Sequence, residues 1–187
     1  MIFLHCYDTA LGCCGIAWTE QGAIVGSQLP EENAGATRDR MRARFPSARE
    51  SVEPPPAVQR AITGVRRLLA GETVDIEELL AVELDDRALP EFNRQVLALT
   101  RRIPVGQTLT YGEIAARLGQ PGAARAVGQA EGHNPFAPIV PCHRVMGSGG
   151  LGTGFSAHGG VETKMRLLLI EARAAGQQVG EQAGLFG

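Results

Sequence analysis

Short apolar and β-branched runs open the chain: IFLHCY at 2–7, GIAWT at 15–19 and AIVGSQL at 23–29. Gly12, Gly15 and the EQG turn at 20–22 separate them. Runs of this length between turn residues predict strands. Residues 31–45 are charged and helix-compatible, and they end at Pro46. The three prolines at 54–56 forbid a helix before Ala57. Beyond them Val58, Ala61, Ile62, Val65, Leu68 and Leu69 recur at helical spacing. That predicts an amphipathic helix through residue 70, closed by Gly71. Residues 72–89 are acidic and follow neither period, so the domain boundary is placed near Leu84–Pro90.

The second half has a different rhythm. Phe92, Val96, Leu99 and Ile103 mark one face of a helix that starts after Pro90. TYGE at 110–113 has the form of a capping box, Thr110 to Glu113, opening a short helix through Leu118. GQPG at 119–122 breaks it, and AARAVGQA at 123–130 predicts another helix. Helix, short turn, helix fits a helix-turn-helix, although packed helical hairpins share the pattern. This third helix is lined with small residues, Ala123, Ala124, Ala126, Gly128 and Ala130, and carries Arg125 as its one cation. Such an arginine is either a solvated surface charge or a finger directed at a phosphate or a base stack. EGHNPFAP reads as a turn, and IVPCHRVM as a buried extended segment. GSGGLGTGFSAHGG at 147–160 holds seven glycines and predicts a loop. A last helix follows, with Val161, Met165, Leu168 and Ala172 on its inner face, and the tail from Gly176 is expected to fray. The expected organisation is α/β plus α. Residues 1–87 form a sheet domain, 88–175 a mainly helical domain, and 176–187 a flexible tail.

Bulk properties narrow this picture. The chain of 187 residues is 44% apolar and 20% charged, as ordinary globular proteins are. It has no apolar run near the roughly 18 residues of a membrane span. Its first residues, MIFLHCYDTALGCC, lack the basic region of a secretory signal, so the cytoplasm is the expected location. Cys6, Cys13, Cys14 and Cys142 are read as reduced thiols. His5, Cys6, Cys13 and Cys14 lack the spaced pairs of a zinc site, so no metal is expected. The net charge of −2 divides unevenly: residues 1–90 have 9 Arg against 14 Asp and Glu, −5, while residues 91–187 have 9 Lys and Arg against 6, +3. The second half is the part suited to a polyanion, but the excess is too mild to predict DNA binding alone.

The candidate chemistry lies in IVPCHRVMG at 139–147, where Cys142, His143 and Arg144 interrupt an apolar run. A thiol attacks only as thiolate and is mostly protonated at neutral pH, so it needs a base or a cation nearby. On an extended backbone His143 points away from Cys142 and acts on it only through a bridging water. A histidine base also needs an orienting carboxylate: Glu171 on the last helix, with Glu162 as the alternative. Taken alone, the pair is equally compatible with an inert buried cysteine beside a structural histidine.

PCHRV at 141–145 resembles the active-site signature of the O6-alkylguanine-DNA alkyltransferases, also called methylated-DNA–protein-cysteine methyltransferases. The resemblance extends over most of residues 91–174, through IPVGQTLTYGEIA, ARAVG, HNP, PCHRV, a Gly-Gly pair, and a lysine followed seven residues later by a glutamate. It implies a ribonuclease-H-like sheet domain in the first half. Cys142 is then the alkyl acceptor, His143 the base acting through water, and Glu171 its orienting partner. Tyr111 helps to rotate the target nucleotide and donates a hydrogen bond as guanine leaves. Arg125 fills the gap left by the flipped base, from a helix whose Ala123 and Ala124 approach the DNA. Asn134 braces the turn holding the nucleophile. Val145 and Cys142 offer backbone carbonyls to the guanine amine. Phe155 and Ser156 form part of the pocket loop, with the Ser156 N–H directed at the guanine oxygen. Two departures stand out. Ala157 and His158 separate FS from the Gly-Gly pair, which alters the pocket. Glu131 stands where members carry a small or apolar residue near DNA, so an acid there is expected to repel phosphate slightly.

The implied function is single-turnover repair of DNA. An alkyl group moves from O6 of guanine, and from O4 of thymine, to Cys142, with no cofactor. The implied partner is double-stranded DNA containing alkylated guanine, bound by a monomer able to cluster along the duplex, with no membrane involved. The alternative is a non-catalytic module that binds alkylated DNA; such relatives replace the nucleophile, whereas Cys142 is present. A Cys-His hydrolase lacks an evident oxyanion hole and leaves Arg125 and Tyr111 without a role.

Overall fold

The computed structural model describes residues 1–150 and 155–177 and is a mixed α/β structure. By contact it divides into two compact units. Residues 1–86 and 135–139 form the first, and residues 87–134 with 140 onward form the second.

In the first unit β1 (Ile2–Thr9), β2 (Gly12–Thr19) and β3 (Ile24–Gln28) form an antiparallel meander. The short β4 (Arg49–Glu50) joins the other edge of β1 in parallel, giving the order β3-β2-β1-β4. Because strand residues alternate faces, β1 presents two surfaces to two helices. Leu4, together with Ala17 across the β1–β2 ladder, meets Met41 of α1 (Ala34–Arg44). A Cβ on Gly15 would stand 2.5 Å from Met41 Cγ, so glycine there lets the helix seat closely. Tyr7 faces the other way, and the Arg66 guanidinium of α2 (Pro56–Leu69) lies 5.5 Å from its ring centre. The apolar positions anticipated for α2 are all buried. The acidic stretch after it holds one further short helix, α3 (Ile76–Leu80). Cys6 lies on β1, and Cys13 and Cys14 on β2; all are free thiols.

Residues 135–139 pack with this sheet. Ser27 N donates to Pro135 O at 2.9 Å and Ser27 Oγ to Ala137 O at 2.8 Å. Arg44 Nη2 also donates to Pro135 O, at 2.9 Å.

The second unit is mainly helical: α4 (Glu91–Thr100), α5 (Tyr111–Arg117), α6 (Ala124–Gly132) and α7 (Gly160–Ala174). Val96, Ile103, Ile114, Ala115, Val127, Ala130 and Val145 form its buried cluster. The strands β5 (Leu109–Thr110) and β6 (Val145–Met146) pair in parallel. The capping box is formed: Glu113 N donates to Thr110 Oγ1 at 3.1 Å, and Thr110 N to Glu113 Oε2 at 2.6 Å. The turn between α5 and α6 uses Gly119 at φ +71°, a left-handed conformation suited to glycine. No helix among the described residues is long and apolar enough to cross a membrane.

Two expectations need correction. IVPCHRVM is buried but not extended, because Cys142–Arg144 form a turn of 3-10 helix. Cys142 N donates to Val140 O and Arg144 N to Pro141 O, each at 2.9 Å, which closes the backbone on itself. The inner face of α7 is also not the one expected. Lys164, Leu167, Leu168, Glu171 and Ala172 are buried, whereas Val161 and Met165 are only partly covered. Apolarity misleads here because the two charged residues have partners inside. Of the glycine loop, residues 151–154 lie outside the described residues, as does the tail from 178.

Candidate active site

A 3-10 turn advances about 120° per residue, so its three side chains fan out in three directions. That separates Cys142 from its two neighbours. His143 and Arg144 both meet Glu171 of α7. His143 Nε2 lies 2.7 Å from Glu171 Oε1, and Arg144 Nε and Nη2 reach Glu171 Oε2 and Oε1, each at 2.8 Å. Arg144 Nη1 also donates to Ile103 O. All three side chains are buried. Glu162, the alternative orienting acid, is exposed on the first turn of the helix.

Burial works against ionising Glu171, but the charges and hydrogen bonds of His143 and Arg144 outweigh it and hold the carboxyl down at about 2. Glu171 is therefore a carboxylate that accepts from His143 Nε2–H. In the neutral imidazole the lone pair then sits on Nδ1, which has no protein partner among the described residues. A base whose tautomer is fixed by a buried carboxylate is the arrangement a proton-accepting histidine requires.

Cys142 is 5% exposed. Asn134, just beyond α6, donates from Nδ2 to Val140 O at 2.8 Å and also hydrogen-bonds the thiol. Desolvation pushes the thiol up to about 12, and a charge on Glu131 adds to it when that acid is ionised; Asn134 and Lys164 oppose the rise. The resting thiol is thus protonated at neutral pH, and the site holds no standing thiolate. Val145 N–H donates to Cys142 O, and the Val145 carbonyl accepts from Lys164 Nζ at 2.7 Å.

Tyr111 opens α5 and lies against Gly128 of α6, where a Cβ would be 3.4 Å from its ring. Ala123 caps α6, Ala124 starts it, and Arg125 follows, exposed. The half-buried Phe155 ring lies 6.0 Å from Lys164 Nζ, and Ser156 beside it is exposed. Cys142, His143, Asn134, Val145 and Glu171 therefore form one cluster, while Tyr111, Ala123, Ala124 and Arg125 lie along the α5–α6 pair. Among the described residues no group of three His, Cys, Asp or Glu side chains is placed to hold a metal ion.

Glu131 is where the structure departs furthest from expectation. It does not face DNA as an exposed acid. It is 4% exposed, and it contacts the Thr100 hydroxyl of α4. Sequence reasoning also assigned no role to Arg144 or Lys164. Their signal was present: Arg144 adjoins His143, and Lys164 and Glu171 share one helix face, seven residues apart, amid leucines.

A buried thiol in the same turn as an imidazole paired with a buried carboxylate marks a candidate cysteine site in a mainly helical unit. Residues 91–173 match the model of the 6-O-methylguanine DNA methyltransferase DNA-binding domain. The methylated-DNA–protein-cysteine methyltransferase of Mycolicibacterium paratuberculosis is 45% identical over 128 residues, 68% of this chain and 73% of that protein. The crystal structure of the Mycobacterium tuberculosis O6-methylguanine methyltransferase superposes with TM-score 0.70 at 34% identity, covering 93% of this chain and 94% of that one. The structure of M. tuberculosis OGT in complex with DNA gives TM-score 0.72 at 34% identity, covering 92% and 94%. The chain belongs to the methylated-DNA–protein-cysteine methyltransferase family.

Proposed function

We infer that this protein repairs alkylated guanine in DNA by moving the alkyl group irreversibly onto Cys142. The observation that carries this reading is the buried relay from Glu171 through His143, which leaves an unpartnered Nδ1 in the turn that holds the thiol. His143 Nδ1 takes the thiol proton through one water, and Glu171 stabilises the imidazolium. Sulfur then attacks the alkyl carbon. The S–C bond forms as the C–O6 bond breaks, and the electron pair leaves on guanine, which regains a proton. Tyr111 donates a hydrogen bond to the departing base. The thioether has no route back to thiol, so each chain acts once.

A base inside a duplex is out of reach, and extruding it costs a few kcal/mol. In this reading α5 and α6 are the helix-turn-helix, Ala123 and Ala124 let α6 approach the groove, and Arg125 occupies the vacated stack. Phe155 and Ser156 close over the flipped base, and Val145 and Cys142 present carbonyls to its amine. The sheet order β3-β2-β1-β4, with only β4 parallel to β1, supports a ribonuclease-H-like first domain. The test is a duplex carrying one O6-methylguanine. Restoration of guanine in proportion to protein, lost in Cys142→Ser, supports the reading. Tight binding without restoration favours the non-catalytic module.

A further inference from the structure

Glu131 is a buried acid that the relay does not use. The hydroxyl of Thr100 lies within hydrogen-bond distance of two oxygens, Val96 O at 3.0 Å and Glu131 Oε1. One hydroxyl has one proton to donate. If it serves the Val96 carbonyl, the contact with Glu131 requires a proton from the acid. That assignment makes Glu131 a neutral acid donating to Thr100, with Oε2 as its carbonyl oxygen. Oε2 is buried and has no partner, a modest cost for a carbonyl oxygen and a large one for a carboxylate. Desolvation points the same way and pushes the Glu131 carboxyl up to about 8, against the pull of Thr100 and Lys164.

The groups around Glu131 can be named element by element. From α4 comes Thr100, from α7 Lys164, and from the 3-10 turn Cys142, whose thiol feels the Glu131 charge. From α5, Tyr111 lies against Gly128 of the same helix α6. On α6 itself Arg125 is exposed. Lys164 is thus shared by Glu131 and Cys142. The Lys164 ammonium is held by the Val145 carbonyl at 2.7 Å, directly after the turn that carries Cys142, and while Glu131 is neutral its charge balances a developing thiolate. Once Glu131 ionises, that cation is already balanced and a second negative charge is disfavoured.

We propose that Glu131 is a positioning residue that gates the alkyl transfer: as a neutral acid on Thr100 it leaves Lys164 to stabilise the Cys142 thiolate, and as a carboxylate it withdraws that support. The proposal rests on the function inferred above. Loss of the Glu131 proton above about pH 8 should remove the reactive form of the site, and an uncharged side chain should keep it.

The test measures single-turnover transfer from a methylated duplex between pH 6.5 and 9.5, for the natural protein, Glu131→Gln and Glu131→Met. The two variants provide uncharged side chains of similar size, so one remains if the other does not fold. The expected result is a variant-to-natural rate ratio that is constant below pH 7, climbs through pH 8, and reaches about tenfold by pH 9. A purely structural role would change the rate by the same factor at every pH. A constant ratio overturns the gate and leaves the function standing. A natural protein that transfers no alkyl group at any pH overturns the functional reading and the gate with it.

Discussion

Desolvation by burial pushes the Cys142 thiol up to about 12. The free protein should therefore react with iodoacetamide at pH 7 more slowly than an unhindered thiol of pKa near 8.5. Peptide mapping of the alkylated sites checks this, and rapid labelling of Cys142 would contradict it. Arg144 has a different duty, holding Glu171 by two parallel hydrogen bonds. Arg144→Met removes one partner of a buried ion pair and should cost about 3–5 kcal/mol in urea denaturation. The same carboxylate sets an acid limit. Its folded pKa, about 2, lies below the ordinary carboxylate value, so its contribution is complete above about pH 4.5 and is lost as pH falls toward 2. Urea midpoints taken between pH 6 and 2.5 should fall over that range, and Glu171→Gln should flatten part of the fall. At this scale the sequence was informative where it paired His143 with Glu171, a contact the structure contains. It misled at Glu131, since sequence alone does not tell a surface acid from a buried one whose partner, Thr100, lies 31 residues away.

Local rules governed most elements. The proline run located the start of α2 to within a residue, since Pro56 itself takes the first helical position, where its missing N–H costs nothing; Gly71 follows the helix end, and the Thr110–Glu113 spacing located α5. That capping box orients the helix carrying Tyr111, so Thr110→Ala should destabilise the protein by about 0.5–2 kcal/mol. Urea denaturation measures it, and an unchanged midpoint would contradict the cap's importance. The two elements that differed from expectation did so for different reasons. The 3-10 turn at Cys142 closes through its own backbone, which apolar patterning does not record. The inner face of α7 follows the partners of Lys164 and Glu171, because a buried charge is tolerated only when paired.

Across the molecule, the charge divides as −5 over residues 1–90 and +3 over residues 91–187, and the candidate site lies in the second, more basic stretch. The association of residues 135–139 with the first sheet was not legible beforehand. It depends on carbonyls of a proline-rich stretch meeting Ser27 and Arg44, a pairing that carries no sequence period. The central claim, that Cys142 is a reagent consumed once, is tested most directly by intact-mass spectrometry with peptide mapping after incubation with excess O6-methylguanine duplex. The account predicts a gain of one CH2 unit per chain, located on Cys142 and absent in Cys142→Ser. Repair of more than one equivalent of DNA per chain, or a mass gain on any other residue, would contradict it.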